Sequence, residues 1–510
     1  MIQSLILPFS ADYEEYLRDE SRSVGTAESI SFPTTEAEVI DVIRQARTLG
    51  RTVTTQGART GIVAGAVPQG GHILNLSKMK AIGEVYVDGD SGDAGITVQP
   101  GAILSDVREK VEGEGLFLPP DPTETTASIG GMIAANASGA LTYLYGSTRH
   151  WVRSLRVVLA DGDTLHLERG ANHARGRSFS LTTESGRVTE GRLPSYNQPD
   201  VKSAAGYFVA DDMDLIDLFI GMEGTLGVIT QAELRLIPKP GAIHGLTVFL
   251  PSEEAAIKLV RVARGEVVEG LEPVATRPAG IEFFSSEALD LLRRIKSDYS
   301  AFEKIPAMRP SWHTAVYIEF HAESDDAAEE AVMQVMEAAT ALGSSDEDTW
   351  YATIEREREP IKAFRHAVPE AVNLLIDERK RDWPGITKLG TDMSVPDEHL
   401  EAVLAMYREG LRENVLESVI FGHIGNNHVH VNILPASPED YAKGKSLYLS
   451  WARRVVELGG SVSGEHGIGK LKVPFLELMY GPEGIAEMRE LKHLFDPEMT
   501  LNPGDLFAAR

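Results

Sequence analysis

The stretch that most constrains this chain is FGHIGNNHVHVNILP, residues 421–435. Apolar residues Val419, Ile420 and Phe421 lead into Gly422–Asn427, and a second run, His428–Leu434, stops at Pro435. That pattern predicts two strands reversing at a Gly/Asn turn. Side chains alternate along a strand, so Val429, Val431 and Ile433 share one face while His428, His430 and Asn432 share the other. His423 stands at the mouth of the turn, where the reversal brings its imidazole toward His430.

Neutral imidazole binds zinc and related divalent metals, and two ligands rarely suffice. Glu465, in Ser463-Gly464-Glu465-His466-Gly467-Ile468-Gly469-Lys470, is the candidate third ligand. The alternative is a set of hydrogen-bonded histidines on a polar sheet face. Three histidines and an asparagine packed so closely, with Glu-His set between glycines, favour metal or proton-transfer chemistry.

The chain has 510 residues, which predicts two or three domains. Lys plus Arg number 49 against 76 Asp plus Glu, a net charge of −27 that argues against nucleic acid or an anionic membrane as a default partner. An acidic substrate must therefore meet a local cluster of Arg or Lys. There is no cysteine. This rules out disulfides, thiolate catalysis, cysteine-ligated iron–sulfur clusters and a cysteinyl cofactor link within the chain. Residues 1–8 lack the basic start and apolar length of a signal peptide, and no apolar run reaches a membrane span, so a cytoplasmic protein is expected.

Residues 31–50 carry a helix signature: Thr34 or Thr35 as cap, acids in the first turn, Val39, Ile40, Ile43 and Ala46 on one face and Gly50 as stop. A strand over Thr52–Thr55 should run into the small-residue loop Gly57–Gly65, whose backbone amides are free to meet an anion. Glycine turns are common, so this loop alone decides nothing. Strand-like pieces at 73–76 and 95–98 precede a helix over 102–114. Residues 118–139, proline-stiffened and then mostly small, make a poor core but a good surface for backbone to press against a large flat ligand. Residues 152–168 read as a hairpin turning at Asp161-Gly162. Residues 169–206 are polar, without period, and predict a long surface excursion. A helix over 213–220, the stretch Gly221–Gly227 and a strand through Leu236 end the first block at Pro238-Lys239-Pro240.

From 243 the expected order is strand 243–250, helix 252–264, strand near 281, helix 286–297, strand 313–321 and helix 325–342. The alternation runs on to the hairpin and marks a second α+β domain over 241–455. The tail, 456–510, has helix and turn signals but no sheet of its own.

Two motifs mislead. Gly464–Leu471 matches a nucleotide P-loop except at Leu471, where Ser or Thr must hold magnesium, and it follows no long buried strand. No G-x-G-x-x-G occurs, so a dinucleotide on a Rossmann unit is unsupported.

The loop 57–65, the stretch 119–139, GMEGTLGVI at 221–229, GHIGNNHVHVN and SGEHGIGK occur in this order. In that arrangement the chain resembles FAD-linked oxidases of the vanillyl-alcohol oxidase type, with a PCMH-type FAD domain. Its nearest likeness is to the D-lactate, glycolate and D-2-hydroxyglutarate dehydrogenases, from about residue 30 to Gly504. The resemblance implies an α+β protein: a two-subdomain FAD-binding domain over 1–240, a cap domain with an antiparallel sheet over 241–455, and a segment over 456–510 that returns to the flavin.

It also implies site residues. Gly57, Ala58, Arg59, Thr60 and Gly61 would hold the FAD pyrophosphate. Pro120, Asp121, Thr123, Ser128, Gly130, Gly131, Ala134, Asn136, Ser138 and Gly139 would line the cofactor. Glu223, Gly224, Gly227, Val228 and Ile229 would close its adenine side, with Asn502 reaching back from the tail. His423, His430 and Glu465 match the family's divalent-metal ligands, zinc or manganese. His466 matches its active-site base, and Arg365 and Lys388 match the residues that hold a substrate carboxylate.

The chain also departs from the family. The common G-D-G-N-L-H is here Gly425-Asn426-Asn427-His428-Val429-His430, which leaves the role of His428 open. Val63-Ala64 replaces smaller residues, no His suits covalent flavin attachment, and Pro369 stands where some relatives have a polar substrate contact. The implied activity is oxidation of a small D-2-hydroxy acid to the 2-oxo acid by non-covalent FAD. Electrons would pass to a quinone, a cytochrome, an electron-transfer flavoprotein or an iron–sulfur partner chain. A homodimer, and a peripheral place at the inner face of a membrane, are compatible with this. The rivals are an alkylglycerone-phosphate synthase-like transferase, which uses the same fold without net oxidation, and a flavin-binding or structural metal protein without catalysis.

Overall fold

A computed structural model describes residues 5–89, 91–296 and 298–508. The first sheet has four strands in the order Leu7–Pro8, Ser29–Ser31, His72–Asn75, Val53–Gln56. The last three run parallel, which requires a crossover, and the helix Glu36–Thr48 supplies it. Thr35 caps that helix by accepting from the Glu38 amide at 3.2 Å. Val39, Val42, Ile43 and Ala46 are buried, so Val42 takes the core place expected of Ile40, which is half-buried.

The second sheet is antiparallel, in the order Ile82–Val87, Ala94–Val98, Val228–Pro238, Val152–Val158, Thr164–Glu168, with Leu116–Phe117 pairing the end of Val228–Pro238. The hairpin at 152–168 turns at Gly162, whose φ of 79° favours glycine. Residues 213–220 hold a short 3-10 helix, Leu215–Phe219.

Two expectations change. Residues 169–206 contain a hairpin, Ser178–Thr182 with Val188–Arg192, rather than a surface excursion alone. Phe179 and Leu181 point inward between Ser178, Ser180 and Thr182, and Phe179 stacks on Phe495 at 6.1 Å. Two apolar residues make too short an alternation to stand out in sequence; the C-terminal helix gives them their partner. In 119–139 the segment is split. Ile129, Met132 and Ile133 join the main core from a helix over Ile129–Ala134, while Gly130, Gly131 and Ala134 stay accessible.

The third sheet has seven antiparallel strands in the order Thr349–Ala352, Ala242–Leu250, Thr314–Ala322, Gly280–Phe284, Ser418–His423, His428–Ile433, Leu389–Gly390. Helices Glu253–Ala263, Ser286–Lys296, Asp325–Ala341 and Glu355–Arg379 accompany it. After helix Pro438–Glu457, the chain crosses the hairpin's polar face as Ser461–Lys470 and enters helix Val473–Phe495, kinked at Gly481 before Pro482. The tail then reaches the first sheet, where the Asn502 amide donates to the Val53 carbonyl at 2.7 Å. Lys492, buried, fixes this return by donating to the carbonyls of Thr225 (2.6 Å) and Leu501 (3.0 Å) and to Asp496 (2.9 Å).

Candidate metal and flavin site

The hairpin pairs His423 with His428 and Phe421 with His430, so the register turns His428, His430 and Asn432 to one face. Gly422, at φ 128°, lets His430 lie against the backbone, since a Cβ there would come within 2.7 Å of the ring. Four side chains meet over this face: His423, His428, His430 and Glu465 each offer a donor atom, all within 4.8 Å of one another.

Each imidazole is held from behind. His423 Nδ1 lies 2.6 Å from Glu282 Oε1, His430 Nδ1 lies 2.9 Å from the Thr391 carbonyl, and His428 Nε2 lies 2.8 Å from Asp392 Oδ1. These outer bonds set which nitrogen carries the proton and turn the other inward, as in metal sites. Toward the centre, Glu465 Oε2 lies 3.1 Å from His423 Nε2, and Oε1 lies 3.2 Å from His430 Nε2. Lys202 Nζ donates to Glu465 Oε2 at 2.6 Å from an almost fully buried position.

Burial raises the Glu465 carboxyl pKa, but His423, Lys202 and His428 outweigh it and hold the group well below the usual carboxylate range. Burial lowers the His423 pKa, yet Glu282 and Glu465 lift it to about 9. His428 is pushed down to about 3 by burial, Lys202 and His430, which keeps it neutral. Three imidazoles, a carboxylate and acceptors behind each ring fit a divalent ion.

His466 borders the cluster. Its Nε2 lies 3.4 Å from Glu465 Oε1, and its ring stacks on His430 at 5.5 Å. Its Nδ1 lies 3.4 Å from Asp392 Oδ2, which also accepts from the His466 amide at 3.1 Å. Burial raises the Asp392 pKa, but His466, Lys472 and His428 drive it well below the usual range. Asp392 thus stays anionic and steadies both His428 and His466.

Arg365 lies on the long helix with its guanidinium 4.7 Å over the Tyr317 ring. Burial lowers its pKa, but Glu282, Tyr317, Glu319 and Asp121 outweigh it, and Glu282 is also the carboxylate that holds His423. The Arg365 Nε is buried without a hydrogen-bond partner. Lys388 precedes the edge strand Leu389–Gly390. Within that strand Gly390 pairs Asn432 and Leu389 pairs Ile433. Burial and nearby Arg22 lower the Lys388 pKa, and no contact joins it to Arg365 or the histidines among the described residues.

The segments matched to FAD also converge. The Ala58 amide donates to Ser128 Oγ at 3.2 Å, and a Cβ on Gly57 would strike that oxygen at 2.1 Å. Asn502 Oδ1 accepts from the Thr55 amide at 3.0 Å while its Nδ2 donates to the Glu223 carbonyl at 3.1 Å. Arg59, Ala64, Asn136, Glu223 and Asn502 all have positive φ, between 45° and 64°, a strain that gathers at ligand sites. Ser138 Oγ is buried and unpartnered. Strained loops, accessible small residues and an orphan hydroxyl fit a large cofactor laid on backbone.

Several side chains in that set are otherwise engaged. Arg59 turns to Glu15 and Tyr16, Asp121 pairs Arg108 at 2.8 Å, and Thr123 is exposed. Gly139 Cβ would meet the Asp121 carbonyl at 1.7 Å, Gly130 packs on Pro100, and Gly224 and Gly227 pack on Asn502 and Val157. Val228 and Ile229 pair Val158 and Val157 in the second sheet. Glu223 accepts the amides of Ile468 at 2.8 Å and Gly469 at 2.6 Å, so its carboxylate shapes the SGEHGIGK loop.

Sequence reasoning missed Glu282, Asp392, Lys202 and Lys472. Glu282 had a signal, a carboxylate in the middle of the apolar strand Gly280–Phe284. Lys202, in the aperiodic segment, had none.

The sequence family "FAD linked oxidases, C-terminal domain" matches residues 240–506, and "FAD binding domain" matches 27–168. The chain is 30% identical over 460 residues to "Glycolate oxidase subunit GlcD" of Bacillus subtilis (strain 168), covering 89% of this chain and 84% of that one. It is 28% identical over 504 residues to "D-lactate dehydrogenase" of Anaerostipes hadrus, covering 97% and 92%. It is 30% identical over 506 residues to "D-2-hydroxyglutarate dehydrogenase" of Xanthomonas citri pv. viticola, covering 98% and 93%. Among solved structures, an alkyldihydroxyacetonephosphate synthase superposes with a TM-score of 0.67 over 99% of this chain and 82% of that one, at 16% identity, a likeness of fold alone. The sheet architecture, the matched families and these full-length relatives place the chain in the FAD-linked oxidase family, as an FAD-dependent oxidoreductase with a PCMH-type flavin-binding fold.

Proposed function

We propose that this protein oxidises a small D-2-hydroxy acid to the 2-oxo acid and passes the electrons to a separate acceptor. The observation that carries the reading is the His423, His430 and Glu465 cluster with His466 at its edge, joined to Arg365 through Glu282, the carboxylate that holds His423 and acts on the Arg365 charge. The relatives named above, which include a glycolate oxidase subunit and D-lactate and D-2-hydroxyglutarate dehydrogenases, support it.

FAD, when bound along Gly57–Gly61, 120–139, 223–229 and Asn502, supplies the two-electron acceptor for the α-hydrogen, and a divalent ion on His423, His430 and Glu465 supplies Lewis acidity. The protein's own groups do the rest. Arg365 offers an unspent Nε–H and a planar fork to the substrate carboxylate, charge that a chain of net −27 must provide locally. The family resemblance offers Lys388 as a second cation for that carboxylate. His466 takes the hydroxyl proton at Nε2 while Asp392 holds its Nδ1 side, the base-and-orienter arrangement of general-base catalysis, worth about 10²–10⁴-fold. The polar groups around the cluster are buried, which strengthens each charge interaction.

A non-redox flavin transferase shares the fold, but a metal-ligand cluster beside an arginine suits a small hydroxy acid better. A structural metal site is disfavoured by His466, poised at the cluster's edge. The test is a screen of D- and L-2-hydroxy acids with an artificial electron acceptor, joined to anaerobic titration of the yellow enzyme. Bleaching by a D-2-hydroxy acid with its 2-oxo acid formed is expected. A flavin that no hydroxy acid reduces sinks the proposal.

A further inference from the structure

Resting on the proposed divalent-ion site, we infer that His428 is a fourth protein ligand to that ion, completing a set of three imidazoles and one carboxylate with His423, His430 and Glu465. His428 is fully buried. Its Nε2 donates to Asp392 Oδ1 at 2.8 Å, which fixes the tautomer and leaves a lone pair on Nδ1. That Nδ1 is buried and has no hydrogen-bond partner. It points to the cluster, 3.9 Å from Glu465 Oε2, in a ring whose centroid is 4.5 Å from that of His430 and 5.6 Å from that of His423.

A histidine serving only to hold Asp392 gains nothing from a second, stranded nitrogen, since a buried acceptor left unpaired loses its hydrogen bonds to water without replacement. A ligand role gives that nitrogen its partner. The spacing allows it: bonds of about 2.0–2.2 Å put two donors on one ion at most about 4 Å apart. The four donors here already lie within 4.8 Å of one another, so small inward shifts suffice. His428 is also pressed into place, because a Cβ on Gly464 would come within 2.7 Å of its Nε2. Its outer bond to Asp392 matches those that Glu282 and the Thr391 carbonyl make to His423 and His430.

The consequence reaches the substrate. Four protein donors fill a tetrahedral zinc ion, whereas a six-coordinate ion such as Mn²⁺ keeps two positions, enough for a hydroxyl and a carboxylate of one hydroxy acid.

X-ray absorption on the metal-loaded wild-type holoenzyme counts imidazole ligands without any substitution: three are expected, and two overturn the assignment. Competition with a chelator then measures affinity for Mn²⁺ and Zn²⁺ in His428→Gln, whose amide still reaches toward Asp392. The affinity should fall at least as far as the roughly 10–100-fold that losing an outer-shell partner costs, with FAD content unchanged. If His428→Gln binds as tightly as wild type while His430→Ala loses the ion, the proposed site survives and His428 is not a ligand. A wild type that takes up no stoichiometric ion overturns both.

Discussion

Lys202 donates to Glu465 Oε2 at 2.6 Å across 263 residues of sequence, and both side chains are at least nine-tenths buried. The ammonium thereby neutralises the one carboxylate at the centre of the imidazole cluster. Breaking a buried pair from one side leaves the other charge uncompensated, at about 3–5 kcal/mol. Lys202→Met should therefore destabilise the metal-free protein by that order, and added divalent ion should restore most of the loss by replacing the missing positive charge. Chemical denaturation with chelator and with excess Mn²⁺ measures both; equal destabilisation in the two conditions refutes the pairing argument.

The proposed ligands should separate from the flavin. His423→Ala, His430→Ala and Glu465→Gln should each remove bound metal and most turnover yet keep the FAD spectrum, because their side chains bond to Glu282, the Thr391 carbonyl, Lys202 and one another rather than to the residues proposed to hold FAD. Metal analysis beside an absorbance scan decides; full metal occupancy in any of the three removes that residue from the set.

Arg365 and His466 should fail in different ways. A lost charged hydrogen bond to substrate, its partner left buried, costs on the order of 2–5 kcal/mol, and Lys cannot copy the planar fork. Arg365→Lys should thus lower kcat/KM for hydroxy acids with flavin content unchanged. His466→Ala should slow flavin reduction at saturating substrate and flatten its pH dependence. Stopped-flow reduction that matches wild type across pH would exclude His466 as the base.

FAD should be released on acid precipitation, because the chain has no cysteine and no histidine suited to attachment. Colour remaining in the pellet would show a covalent link.

His72 should govern part of the acid stability. Both ring nitrogens are spent on hydroxyls, Ser29 Oγ at 2.9 Å and Ser31 Oγ at 2.8 Å. Burial and nearby Arg51 lower its pKa to about 4. Unfolded histidine titrates near 6.5, so as pH falls the unfolded chain takes up its proton first. The contribution of His72 is intact above about pH 6.5 and is lost as pH drops toward 4. His72→Gln should flatten the stability profile in that window by on the order of 3 kcal/mol. Denaturation of both proteins at pH 7 and pH 5 tests this, and identical slopes would refute it.

By itself the sequence determined what local rules control. Periodicity, caps and turn residues located the helix Glu36–Thr48, the hairpin at 152–168, the strand and helix order after 243, and above all the alternation that turns His428, His430 and Asn432 to one face. Motif order carried the flavin-linked family. The tertiary structure decided what distant segments bring to one point. Asp392 holds His428, His466 and Lys472, Glu282 holds His423, and Lys202 enters from a stretch with no period at all. Such contacts join residues far apart in the chain, and no local pattern encodes them. They exist because a buried charge or imidazole must find a partner wherever packing supplies one.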